Sequence, residues 1–166
     1  YMAVEGSSLP VFLPAADCTL GVVGGGQLGR MFAQAAQRLG FGVAVLDPDT
    51  QCPAARVVEH HVQGAYDDAA AAQALARRAV AFTTEFENVP AGTMRQLASQ
   101  GPVSPDAEAL AICQHRAREK AHFVQAGVPC AAYALVEDES TLAAAQARPL
   151  FPGILKVARF GYDGKG

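Results

Sequence analysis

The run TLGVVGGGQLG, residues 19–29, joins a short apolar stretch to glycines at Gly24, Gly26 and Gly29 and then to helix-forming residues. Few arrangements accommodate that order. A buried parallel strand must pass through a turn tight enough to need glycine into a helix whose N-terminus faces the turn. Leu28, Met31, Phe32, Ala35, Ala36 and Leu39 recur at helical spacing and predict one apolar stripe against a sheet. Gly40 and Gly42 end that helix, and VAVLD, residues 43–47, is a second buried strand followed by the turn material PDTQCP. Strand, helix and strand in that order form a right-handed βαβ unit. The predicted class is α/β, an open Rossmann-like parallel sheet.

The unit repeats less regularly. A short strand is predicted over 57–62, an alanine-rich helix over 67–79, a strand from Val80 through VAFTTEFE, and a helix opened by Pro90. Two helical segments follow, over 106–113 and 116–126, and GVP at 127–129 breaks the chain. Beyond the break, AAYALV reads as a strand, DESTLAAAQA as a helix capped by Asp138, and GILKVA as another strand. The predicted organisation is a tail over 1–18, a Rossmann-like domain over 19–115, and a linker helix with the beginning of a second domain over 116–166. That second unit has too few elements to bury a core alone, so the chain is expected to be part of something longer.

Charge narrows the partners. The 166 residues carry a formal net charge of −3 and no stripe of Lys and Arg, which argues against nonspecific nucleic-acid binding and leaves a small molecule as the phosphate-bearing partner. The first 17 residues lack the basic and apolar regions of a signal peptide and the length of a membrane span. Cys18, Cys52, Cys113 and Cys130 lie far apart with no C-x-x-C pair, so reduced thiols and a cytoplasmic location are expected. His60 and His61 are consecutive on a predicted strand and face opposite sides, while His115 and His122 read as surface positions on helices.

Two glycine-rich segments carry the chemistry. Gly24, Gly26 and Gly29 fit G-x-G-x-x-G, which brings backbone N–H groups to an anion at a helix N-terminus, and Asp47 ends the next strand where a dinucleotide's ribose hydroxyls would be held. On those residues alone an NAD-dependent oxidoreductase stands open. Gln27 in the first helical turn and the strand-end acids Glu85 and Glu87 pull away from it. A carboxylate sits poorly beside a pyrophosphate but accepts hydrogen bonds from an amine or hydroxyl. Strand-end acids are also commonly just solvated. At the other end, FGYDGKG, residues 160–166, is glycine-rich with a cation, material for gripping phosphate. Lys156, inside an apolar predicted strand, is costly unless its ammonium meets an anion or reaches water, so it reads as a phosphate ligand, with an edge-guarding lysine as the alternative. Arg116 is placed to reach a nucleotide between the two units, whereas Arg118 and Lys120 fit solvated helix positions.

Taken in order, GVVGGGQLGRM, VLDPD, EFENVP, SPDAEALAICQHRAREK and ILKVARFGYDGKG closely resemble the N5-carboxyaminoimidazole ribonucleotide synthase family, a purine-biosynthetic branch of the ATP-grasp superfamily. The resemblance runs from about Thr19 to the last residue. It implies a Rossmann-like pre-ATP-grasp domain that binds the substrate and not a dinucleotide, followed by the start of an ATP-grasp domain. The implied reaction joins bicarbonate to the exocyclic amine of 5-aminoimidazole ribonucleotide, with ATP converted to ADP and phosphate through carboxyphosphate. By position, the resemblance assigns Arg116, Lys156, Gly161, Tyr162, Asp163, Gly164, Lys165 and Gly166 to ATP, and Gly26, Gln27, Leu28 and Glu85 to the ribonucleotide, which Tyr162 and Asp163 also touch. It implies Mg2+ held by residues outside this chain, a homodimer, no membrane partner, and no activity for this chain alone. No catalytic residue and no metal ligand is assigned within it. A formate-dependent glycinamide ribonucleotide transformylase is the nearest competitor, biotin carboxylase a more distant one, and a noncatalytic nucleotide sensor a third class.

Overall fold

A computed structural model of the chain describes residues 18–150 and 152–161. They divide into two compact units, with the division between Pro105 and Asp106. The first unit is a four-stranded sheet of β1 (Thr19–Val23), β2 (Gly42–Asp47), β3 (His60–Gln63) and β4 (Ala81–Thr84) in the order β3-β2-β1-β4. All three pairings are parallel, with Val22 opposite Val45 and Thr83, and Leu46 opposite Val62. The outer edge of β4 is occupied by the segment at 102–104, where Phe82 N–H donates to the Pro102 carbonyl at 2.8 Å and Ser104 N–H to the Phe82 carbonyl at 3.0 Å.

Side-chain alternation divides the core between the two faces of the sheet. On one face Val22, Val43 and Val45 pack against Ala33 and Ala36 of α1 (Gln27–Arg38), with Ala54 completing the cluster. Of the stripe expected from the sequence, Ala36 is buried and Phe32 partly so, but Leu28, Met31, Ala35 and Leu39 are exposed; the helix turns its small residues Gly29, Ala33 and Ala36 inward, which lets it lie close to the strands. On the other face are Ala44 and Leu46, both fully buried; α2 (Ala69–Ala76) lies against β2 and β3, and α3 (Ala91–Ala98) packs beside α2. Leu75, Met94 and Leu97 of these helices are fully buried. Burying such side chains contributes about 1.5–3 kcal/mol each. Asp68 caps α2 by accepting from the N–H groups of Ala70 and Ala71, and Pro90 precedes α3, as its fixed φ favours.

The third strand departs from the sequence expectation. It begins at His60 rather than Val57, because the Val57 and Val58 N–H groups both bond to the Ala54 carbonyl, closing a 3-10 turn over Pro53–Arg56. Glu59 then works as a clip: its carboxylate accepts from the Val43 N–H at 2.7 Å and from Gln37 Nε2 at 3.0 Å, tying α1 to the start of β2. Burial opposes the charge, yet the bonds from Val43 and Gln37 prevail and hold the Glu59 carboxyl below the ordinary carboxylate range. A depressed folded value means the contribution is complete above the unfolded value and is lost as pH falls through the folded one. The parent chain is therefore expected to be more stable than Glu59→Gln at neutral pH, with the gap closing below about pH 4, as urea titrations across that range would show.

The second unit contains three helices among its described residues: α4 (Ala107–Cys113), α5 (Arg116–Gln125) and α6 (Glu139–Gln146). Asp106 caps α4, and Asp138 caps α6 in a reciprocal box with Thr141. The two strands predicted at AAYALV and GILKVA are not formed. Neither segment has a ladder partner among the described residues, and apolar extended chain becomes a strand only by pairing. No helix of the described residues is long and apolar enough to cross a membrane.

Candidate functional site

In a parallel sheet the carboxyl ends of the strands open into one crevice. Here β1 delivers Gly24–Gly26, β2 delivers Asp47, β3 leads to Tyr66, and β4 leads to Glu85. Gly24 has φ +104°, a conformation that L side chains rarely adopt, and this turns the chain from β1 into α1. Gly29 lets the helix close on that turn: a Cβ there would stand 2.6 Å from the Gly24 carbonyl oxygen.

The loop's backbone donors are spent inside the domain. Gly24 N–H donates to the Leu46 carbonyl at 2.9 Å, Gly25 N–H to Asp47 Oδ2 at 2.7 Å, and Gly26 N–H to Glu85 Oε1 at 2.8 Å. Asp47 is 6% exposed. Its carboxylate also takes the Tyr66 hydroxyl at 2.7 Å and the Asp49 N–H at 2.8 Å, so both oxygens are engaged. Burial first, then the bond to Asp47, pushes the Tyr66 phenol well above its usual value, which keeps it a donor. Buried Cys52 lies under the same loop, its Sγ only 2.4 Å from where a Cβ on Gly25 would be. Burial, helped by the negative charges of Asp47 and Asp49, raises its thiol, so it is an uncharged packing group. His61 Nε2 donates to the Asp47 carbonyl at 3.1 Å.

This arrangement withdraws Asp47 from the ribose-binding role that a nicotinamide dinucleotide would require. It also puts a protein carboxylate where the dinucleotide's pyrophosphate would lie, at the positive end of α1. What remains open is different. Glu85 is half-buried and its Oε2 has no hydrogen bond among the described residues. The exposed Gln27 and Leu28 begin α1, and their N–H groups have no partner among the described residues. The result is one anionic acceptor beside two backbone donors, suited to a ligand with both hydroxyl or amine donors and an anionic group. Of the six residues predicted for the ribonucleotide, Gly26 and Glu85 are joined directly, Gln27 and Leu28 adjoin Gly26 in sequence, and Tyr162 and Asp163 lie outside the described residues. Glu87 is exposed.

In the second unit, Arg116 opens α5 with its side chain exposed, and its backbone N–H donates to the Ala158 carbonyl at 2.9 Å. That bond brings the start of α5 to the segment bearing Lys156. Lys156 does not lie within an apolar strand: it is exposed, between Leu155 at 83% exposure and Val157 at 47%. Lys156 therefore carries no burial cost that would require an anion, because its ammonium already reaches water. Gly161 is exposed. Tyr162, Asp163, Gly164, Lys165 and Gly166 lie outside the described residues. His115 is half-buried rather than at the surface, and its Nδ1 is enclosed without a partner. Tyr66 was missed in the sequence; the one usable signal is its place after a strand's carboxyl end.

An open parallel sheet whose glycine loop is braced by its own carboxylates defines a Rossmann-like α/β domain whose loop donors Gly24, Gly25 and Gly26 are already engaged. Residues 18–114 match the family described as the ribonucleotide synthetase preATP-grasp domain, and the chain belongs to that family. Within it, the chain is 46% identical over 148 residues to the N5-carboxyaminoimidazole ribonucleotide synthase of Brucella melitensis, covering 89% of this chain and 41% of that protein. The synthase of Pseudomonas aeruginosa is 43% identical over 147 residues, with 89% and 41% covered. A crystal structure of an N5-carboxyaminoimidazole ribonucleotide synthetase with ADP superimposes with a TM-score of 0.88 at 39% identity, over 94% of this chain and 41% of that one. The Aspergillus clavatus synthase, in complex with ADP and 5-aminoimidazole ribonucleotide, gives 0.70 at 34% identity, over 78% and 35%. The chain thus spans about two fifths of the length of these relatives.

Proposed function

We propose that the chain supplies the ribonucleotide-binding domain, and the beginning of the ATP-grasp domain, of an enzyme that carboxylates 5-aminoimidazole ribonucleotide with bicarbonate while ATP becomes ADP and phosphate. The observation that carries this reading is Glu85, with one oxygen on Gly26 N–H and the other open beside the first turn of α1. The open oxygen accepts a donor of the ribonucleotide, and the N–H groups of Gln27 and Leu28 take an anionic group of the same ligand. The relative solved with ADP and 5-aminoimidazole ribonucleotide supports both ligands.

In the reaction, a bicarbonate oxygen attacks the terminal phosphorus of ATP and ADP departs. The amine nitrogen then attacks the carbon of carboxyphosphate, phosphate leaves, and the nitrogen gives up a proton. The first unit orients the amine and keeps its ribonucleotide in place, which is the positioning part of such a transfer. Arg116 and Lys156 are proposed as cations for ATP, with Gly161 leading into its phosphate loop. The described residues contain no group of three or more His, Cys, Asp or Glu that could hold a metal ion, so they do not fit a Mg2+ site.

The test is phosphate release from ATP by the full-length protein. Release is expected to require 5-aminoimidazole ribonucleotide and bicarbonate together, with no binding of a nicotinamide cofactor. Release dependent instead on formate and glycinamide ribonucleotide would move the protein to the transformylase reaction, and NAD binding would defeat the reading.

A further inference from the structure

The two carboxylates that brace the glycine loop come from the ends of different strands. Tyr66 reaches both arrangements. Its hydroxyl donates to Asp47 Oδ2, the oxygen that also holds Gly25 N–H, each at 2.7 Å. Its ring rests against Phe86, the residue after Glu85, with centroids 5.7 Å apart and planes inclined at 43°. Tyr66 is itself fixed from α3, where Thr93 Oγ1 donates to the Tyr66 carbonyl at 2.6 Å. Phe86 is held in turn by Thr84, whose Oγ1 accepts from the Phe86 N–H at 3.2 Å.

We infer that Tyr66 is a positioning residue for the ribonucleotide site: its hydroxyl on Asp47 and its ring on Phe86 together set Gly25 and Gly26, and so fix where Glu85 stands relative to the first turn of α1. The physical reason is the burial of Asp47. A buried carboxylate deprived of one of its three donors must move toward another or admit water, and either displaces the Gly25 N–H that shares its oxygen. The ring acts separately, since the turn after β4 has its aromatic contact in Tyr66. Asp47 likewise acts through the loop and not on the ligand.

The kinetic part of this inference rests on the proposed ribonucleotide role; the structural part does not. In the full-length protein, Tyr66→Phe removes only the hydroxyl and keeps the ring on Phe86. It is expected to raise the KM for 5-aminoimidazole ribonucleotide about tenfold while the KM for ATP stays unchanged, and to accelerate amide hydrogen exchange at Gly25. Tyr66→Leu removes the ring as well and is expected to extend the faster exchange to Gly26; where that variant fails to fold, Tyr66→Phe decides alone. An unchanged ribonucleotide KM, an equal rise in both KM values, or an unchanged Gly25 exchange rate overturns the inference. Should the parent protein not consume the ribonucleotide, the functional reading fails by itself, and exchange at Gly25 and Gly26 still decides whether Tyr66 sets the loop.

Discussion

Replacing Glu85 by glutamine is expected to weaken 5-aminoimidazole ribonucleotide binding by about 100-fold while leaving ATP binding nearly intact, because a charge-assisted hydrogen bond is lost and a donor faces a donor. The substitution keeps its size, and its carbonyl oxygen still accepts from Gly26 N–H, which Glu85 now holds at 2.8 Å. The loop should therefore stay folded and the melting temperature should barely move. Calorimetric titration of the full-length variant with each ligand in turn separates the two affinities. An equal loss of both would place Glu85 in the scaffold and not at the substrate.

The second large effect is structural. Gly29→Ala is expected to destabilise the fold by about 3 kcal/mol, toward the upper end of the usual overpacking cost. Its new Cβ would stand 2.6 Å from the Gly24 carbonyl oxygen, and that atom is backbone in a turn already at φ +104°. No side-chain rotation relieves the contact. Either α1 moves off the turn or the turn opens, and both separate Glu85 from Gly26. Guanidinium titration measures the loss. A variant as stable as the parent would show that the turn and α1 are not held at this distance.

Much of the first unit was legible because its signals are local. The apolar run before Gly24 and the glycine turn that follows it act within a few residues of where they are written, as does the cap at Asp138 in the second unit. The failures are equally physical. AAYALV and GILKVA have strand composition, but composition does not provide a pairing partner. Residues 57–58 looked like strand until the Ala54 carbonyl captured their N–H groups. Lys156 looked buried only because its neighbours are apolar, yet those neighbours are themselves exposed.

The candidate site divides along the same line. Gly24, Gly26, Gly29 and Glu85 could be picked out as a loop and a strand-end acid, and the ordered motifs around them pointed to the family to which residues 18–114 belong. Periodicity and turn chemistry are properties of neighbouring residues, so the amino-acid order alone determined an α/β chain with a glycine turn leading into a helix. Which acid does what was decided only by folding. Asp47 meets Gly25 across 22 residues and Glu85 meets Gly26 across 59, and a carboxylate's role depends on whether its oxygens are already occupied once the strands lie side by side. Asp47, which ends a strand as a ribose-binding acid would, is sealed beneath the loop, whereas Glu85 keeps one oxygen open.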